Sequence, residues 1–126
     1  MQKITLLFAT ISGTLAVGIG AFGAHGLQKI LEAHNRVETF DTAVKYHFYH
    51  TLSLLFLGIY LNYAQDKSYL TLASFSMMFG IIVFSGSLYT LSITNIKILG
   101  AITPIGGLGF IIGWICVAMN VAKNQF

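Results

Sequence analysis

The chain has 126 residues, 56% of them hydrophobic and only 9% charged, where a soluble protein carries about a quarter charged. That balance excludes an ordinary soluble domain and gives one integral membrane domain, 1–126. The net charge of +3 does not mark a nucleic-acid surface, because the Lys and Arg residues stand singly between apolar runs, as topology signals and lipid-headgroup contacts.

The first apolar run, about 4–24, follows a single charge at Lys3 and is long enough to cross a hydrocarbon core of roughly 30 Å. Its length argues against a secretory signal, whose apolar core has about 7 to 15 residues, although Ala21-Phe22-Gly23 has small-x-small character. Ser12, Ala16, Gly20 and Ala24 recur every fourth residue as a small-residue stripe along which another helix approaches closely.

Residues 26–45 hold the densest charge. Leu27, Ile30 and Leu31 share one helical face, and Val37, Phe40 and Val44 share another, so two short amphipathic pieces lying in the interface are expected. Glu32 with Arg36 and Asp41 with Lys45 are i,i+4 pairs that support helix and carry no chemistry. His34, in this connector, reads as solvated.

The second span, 46–64, opens on Tyr46-His47-Phe48-Tyr49-His50. A polar turn, Gln65-Asp66-Lys67, leads to the third span, 69–91, in which Met77 and Met78 read as packing. Thr94 and Asn95 turn the chain into the fourth, 97–119, where Pro104 frees the carbonyl of Gly100 and predicts a kink. Gly106, Gly109 and Gly113 give this helix a second small-residue face, which makes helices one and four the expected close-packing partners. Cys116, alone in an apolar run, forms no internal disulfide and has no cationic neighbour to activate it.

The fold class is therefore all-α, a four-helix transmembrane bundle with an amphipathic interfacial connector between helices 1 and 2. Both termini lie on one side. Three Lys on that side face four Lys and Arg on the other, a difference too small to orient the chain. Depth along the helices brings His25, Tyr46, His47, His50, Ser85, Ser87, Tyr89 and Thr103 towards one membrane face, while Tyr63, Tyr69 and Trp114 read as an aromatic belt on the other.

Three readings of that polar group compete. Imidazoles and hydroxyls bond across helices as packing glue. A metal or haem takes His25, His47 and His50 as ligands, with no ligand-spacing motif behind it. Or the group holds the polar head of an amphipathic molecule such as a quinone or lipid, or handles protons or ions. Ser85 and Ser87 lack a nucleophile-elbow pattern, and no Asp or Glu lies within any span, so the reading leans away from an enzyme.

Gly20-Ala21-Phe22-Gly23-Ala24-His25, Phe40-x-Thr42-Ala43-x-x-Tyr46-x-x-x-His50, Phe84-Ser85-Gly86-Ser87-Leu88-Tyr89, Thr103-Pro104-x-Gly106-Gly107 and Gly113-Trp114 together resemble the small membrane-protein family called domain of unknown function 423, or UPF0382. The resemblance spans almost the whole chain. It implies a four-span protein of bacterial plasma membranes, related to a eukaryotic protein assigned to mitochondria, and brings no established biochemical activity. Its pattern takes in His25, Tyr46 and His50 but not dependably His47 or His34, and so favours a site of His25, Tyr46, His50, Ser85, Ser87, Tyr89 and Thr103. The leading expectation is a structural or accessory membrane component, acting in a homo-oligomer or a larger membrane complex. The alternatives are a small-ligand site at His25, Tyr46 and His50, taking quinone, lipid, haem or metal, and an oligomeric ion or solute pore.

Overall fold

The computed structural model of the protein describes residues 1–123. Its elements are α1 (Gln2–Ala24), α2 (Gln28–Ala33), α3 (Val37–Tyr63), α4 (Ser68–Gly80), a π-helical turn (Ile81–Ser85), α5 (Gly86–Thr94) and α6 (Leu99–Lys123). The described residues contain no strand. Through the π turn, α4 and α5 form one rod, and three helices are long and apolar enough to cross a membrane: Gln2–Ala24, Ser68–Thr94 and Leu99–Lys123. The fourth long helix, α3, has 27 residues. Its histidines and tyrosines lower its mean hydropathy, so composition alone does not mark it as a span.

The expected second amphipathic piece of the connector does not exist as a separate element. Residues 37–45 are the first turns of α3, continuous with the run that follows. No Gly or Pro interrupts them, Glu38 favours the positive end of the helix, and Phe40 and Ala43 are buried in the bundle. The connector thus shrinks to 25–36. It closes at Asn35, whose φ of 54° is the left-handed conformation that asparagine tolerates better than most residues. That break also removes the expected Glu32–Arg36 pair. Glu32 instead accepts from Gln28 Nε2 at 3.0 Å, and Arg36 Nε donates to Asn95 Oδ1 at 3.2 Å.

Helix pairing differs from the expectation as well. The small-residue faces of the first and last helices do not meet; α1 packs along α3, and α6 along α4. Steric detail shows why α6 chooses α4 and the π turn. A Cβ on Gly106 would stand 2.3 Å from Phe84 N, one on Gly109 2.9 Å from Ser76 O, and one on Gly113 2.7 Å from Met77 Cγ. On the other side, Ser12 and Ala16 of α1 are buried, and a Cβ on Gly20 would meet Val44 of α3. α3 lies centrally, touching α1, α2, α4, the π turn and α5. Leu54, Leu57, Leu61, Leu70, Met77 and Phe110 fill the core between these helices. The helix runs on through Pro104, in the second turn of α6.

Candidate functional site

The polar residues near the middle of the bundle form separate small networks. In the first, Ser12 Oγ lies 2.9 Å from His47 Nε2 and 2.6 Å from Thr51 Oγ1, while His47 Nδ1 lies 2.9 Å from Tyr89 OH. This chain ties α1 to α3 and α3 to α5. It can run in two senses, because each hydroxyl both donates and accepts and imidazole has two tautomers. Either Thr51 donates towards Ser12, Ser12 to Nε2 and Nδ1–H to Tyr89, or every bond reverses.

The second network fixes its protons. His50 Nδ1 lies 2.8 Å from the Tyr46 carbonyl oxygen, which only accepts, so Nδ1 carries the hydrogen. Trp114 Nε1–H, which only donates, then meets the lone pair of His50 Nε2 at 3.3 Å. The imidazole is stacked on Phe110, ring centroids 3.5 Å apart. Tyr46 lies over Phe84 at 4.8 Å with its ring partly exposed.

A third group joins α5 to α6. Ser87 Oγ and Thr103 Oγ1 are 2.7 Å apart, and each also reaches a backbone carbonyl, Phe84 O at 3.0 Å and Leu99 O at 3.2 Å. With one proton per hydroxyl, two of those three bonds form at a time. Ser85, on the π turn, donates to Ala43 O at 2.9 Å and ties that turn to α3.

His25 belongs to none of these. It caps the end of α1 through a backbone bond to Phe22 with its residue exposed. Among the described residues no three His, Cys, Asp or Glu side chains come together to hold a metal ion, so His25, His47 and His50 do not share a centre. Depth would let His25 approach Tyr46 and His50, but His25 lies just beyond the last turn of α1, outside the helix and exposed, and does not join them. His34 is not simply solvated: its Nδ1–H donates to Ser92 O at 3.1 Å, anchoring the connector to α5.

Sequence reasoning missed three partners. Trp114, assigned to an interfacial belt, lies mid-helix and supplies the N–H that reaches His50. Ser12, assigned to packing alone, and Thr51 hold His47. A hydroxyl in the middle of an apolar helix was the available signal, since within a bilayer it must find a partner.

Ser12, His47 and Tyr89 have the outline of a nucleophile, a base and an orienting group. Hydrolysis finds no support in it. Ser12 is 4% exposed and sits inside a continuous helix, whose backbone N–H groups are spent on the helix and offer no oxyanion donors.

The far end of the bundle is tied ionically. Lys123 Nζ lies 2.7 Å from Asp66 Oδ2 and 5.7 Å from the Tyr69 ring centroid. Asn120 Nδ2 donates to Asp66 O at 3.0 Å. The bond from Lys123, then that from Ser68 N–H, holds the Asp66 carboxyl well below the usual carboxylate range.

Comparison with known proteins agrees with the motifs. The family model described as "Protein of unknown function (DUF423)" matches residues 19–107. The chain is 44% identical over 123 residues to the UPF0382 membrane protein YwdK of Bacillus subtilis (strain 168), covering 97% of this chain and 98% of that protein. It is 40% identical over 122 residues to the UPF0382 membrane protein SSP2132 of Staphylococcus saprophyticus, covering 97% of this chain and 99% of that one. A UPF0382 membrane protein of Haemophilus influenzae is 38% identical over 125 residues, covering 99% and 98%. No solved structure matches the chain. Apolar helices, ordered motifs and full-length relatives lead to one conclusion: the chain is a helical membrane protein of the DUF423 (UPF0382) family.

Proposed function

We propose that the chain crosses the plasma membrane four times, through α1, α3, the α4–α5 rod and α6, and serves as a structural or accessory component of that membrane. The fourth crossing is α3. Its 27 residues extend about 40 Å, and its exposed side chains from Phe48 to Ile59 include Leu52, Leu55 and Phe56, an apolar surface for lipid. His47, His50 and Thr51 point inward and are buried.

The observation that carries the functional reading is the use of the polar groups. Both ring nitrogens of His47 and of His50 are engaged within the chain, and no buried side-chain N or O among the described residues lacks a partner. Such bonds between membrane helices contribute about 0.6 to 2 kcal/mol each and fix which helix meets which. A ligand site for quinone, haem or metal at His25, Tyr46 and His50 gains less support, since His25 stands apart and His50 has no free lone pair. The apolar outer faces of α1 and α6 leave room for a second copy or a larger complex.

Two experiments test this. Single cysteines placed in a Cys116→Ala background are labelled with a membrane-impermeant thiol reagent. Positions 35 and 95 are expected on one side and positions 2 and 66 on the other; labelling of 35 and 66 from the same side removes the fourth crossing. Absorption spectra and metal analysis of purified protein are expected to show no stoichiometric cofactor. A chromophore or metal lost in His50→Ala while helicity persists overturns the structural reading.

A further inference from the structure

Where α1 ends, the chain encloses a cleft of about 280 Å³ between the last turns of α1, the short helix α2 and the first turns of α3. Its inner wall is apolar, formed by Gly20, Leu31, Phe40 and Val44, and Glu38 and Asp41 stand among its lining residues. Glycine keeps it open. A Cβ on Gly23 would strike the Phe40 ring at 2.2 Å, so that glycine seats Phe40, whereas one on Gly20 would meet only Val44, at 3.4 Å. Gly20 therefore leaves α1 without a side chain beside Val44 along this wall of the cleft.

Charge decides what that is. Asp41 is paired with Lys45 at 2.7 Å, while Glu38 makes no ion pair or side-chain hydrogen bond with any described residue. The mouth thus holds an exposed carboxylate, Glu38, that makes no ion pair with a described residue, above an apolar interior. Because α1 ends here, at Ala24, the cleft lies at headgroup depth if α1 spans the bilayer, and to that extent it rests on the reading above. An occupant must bring an apolar chain and a cationic head. Anionic lipids are repelled by Glu38, and a quaternary head has no N–H to give a carboxylate.

We propose that this cleft binds an aminophospholipid with a primary ammonium head, phosphatidylethanolamine. Its ammonium donates to Glu38 and Asp41, its phosphate meets Lys45, and the start of an acyl chain lies against Gly20, Phe40 and Val44. The volume suits a headgroup and a few methylenes, below the roughly 300 to 1,000 Å³ of pockets for drug-sized ligands.

Native mass spectrometry of the purified protein, given phosphatidylethanolamine, phosphatidylcholine or phosphatidylglycerol with identical acyl chains, tests this. Retention of phosphatidylethanolamine is expected to exceed that of the other two by roughly two- to fivefold, the range of an exposed ion pair. Glu38→Gln abolishes that preference, Gly20→Leu lowers retention of all three, and Glu32→Gln, outside the cleft, changes nothing. Equal retention of the three lipids by the wild type, or an undiminished preference in folded Glu38→Gln, overturns the proposal; a basic protein captured through Glu38 with flat lipid retention overturns it in favour of a partner. The cysteine labelling at positions 35 and 66 reads the crossings independently, so failure of the lipid site and failure of the topology remain distinguishable.

Discussion

The α4–α6 contact and the α1–α3 contact solve one problem by opposite means. Between α4 with its π turn and α6, three glycines bring backbones together, so Gly106 leaves no room for a Cβ beside Phe84 N. Between α1 and α3, Ser12 bonds His47 and Thr51 directly. Lipid tails are as apolar as leucine, so burial does not drive helices together within a bilayer. Dispersion at close approach and hydrogen bonds are what remain: backbone-to-backbone approach dominates at α4–α6, while α1–α3 combines hydrogen bonds with glycines, Gly23 and Gly58, whose nearest neighbours are the side chains of Phe40 and Leu6. The glycine contact tolerates less change, because backbone cannot move aside as a side chain can.

The contrast is broken most severely by filling the close contact. Gly106→Ala is expected to destabilise by the upper part of the roughly 1 to 3 kcal/mol typical of overpacking, measured by thermal unfolding in detergent followed through helical circular dichroism. Gly113→Ala should cost less, since its clash is with Met77 Cγ, part of a side chain that adapts. Equal losses at the two positions would show that backbone contact is not what limits this interface.

Next in size is the polar pair. A double-mutant cycle of Ser12→Ala and His47→Ala is expected to give a coupling of about 0.6 to 1.7 kcal/mol. Additive losses would mean that the bond seen at 2.9 Å adds nothing to the α1–α3 contact.

Smaller still is the effect at the His50 ring. Trp114→Phe removes one long hydrogen bond at 3.3 Å and should cost under about 1 kcal/mol. Trp114 is the single tryptophan, so His50→Phe, which removes its acceptor, is expected to shift its fluorescence; an unchanged spectrum removes that bond from the description.

The smallest effect belongs to the exposed pair Asp66–Lys123. The folded carboxyl titrates below its unfolded range, so its contribution is present above the unfolded pKa and disappears as pH falls through the depressed folded value. Wild type minus Asp66→Asn stability should therefore decline only in acid and shrink in high salt. A difference that is flat with pH sinks the assignment.

Much of this was legible in the sequence. Apolar runs located the long helices, Asn95 marked a turn, and Gly106, Gly109 and Gly113 announced a close-packing face. What the pattern withheld is rotation and partner choice. Depth put His25 and His50 near one membrane face, yet helix α1 presents Ser12 to α3 and ends before His25, which is exposed. The glycine face of α6 meets α4 because a small-residue stripe says that a helix comes near, not which one. Phe40, read as part of an interfacial face, is instead buried with Ala43 in α3, which runs back to Val37.

The widened turn at Ile81–Ser85 has a consequence for how length variation is tolerated here. A π turn holds one residue more than the α-helical turn it replaces, and each α-helical residue advances the azimuth by about 100°. Deleting one residue within 81–85 would relax the coil to ordinary pitch with little change of azimuth, so Tyr89 would stay near His47 and Ser87 near Thr103. Deleting one residue from α3, which holds no such turn, would instead turn everything beyond it by about 100°. The bulge thus carries one residue that the rod can lose without changing which side it offers to α3 and to α6.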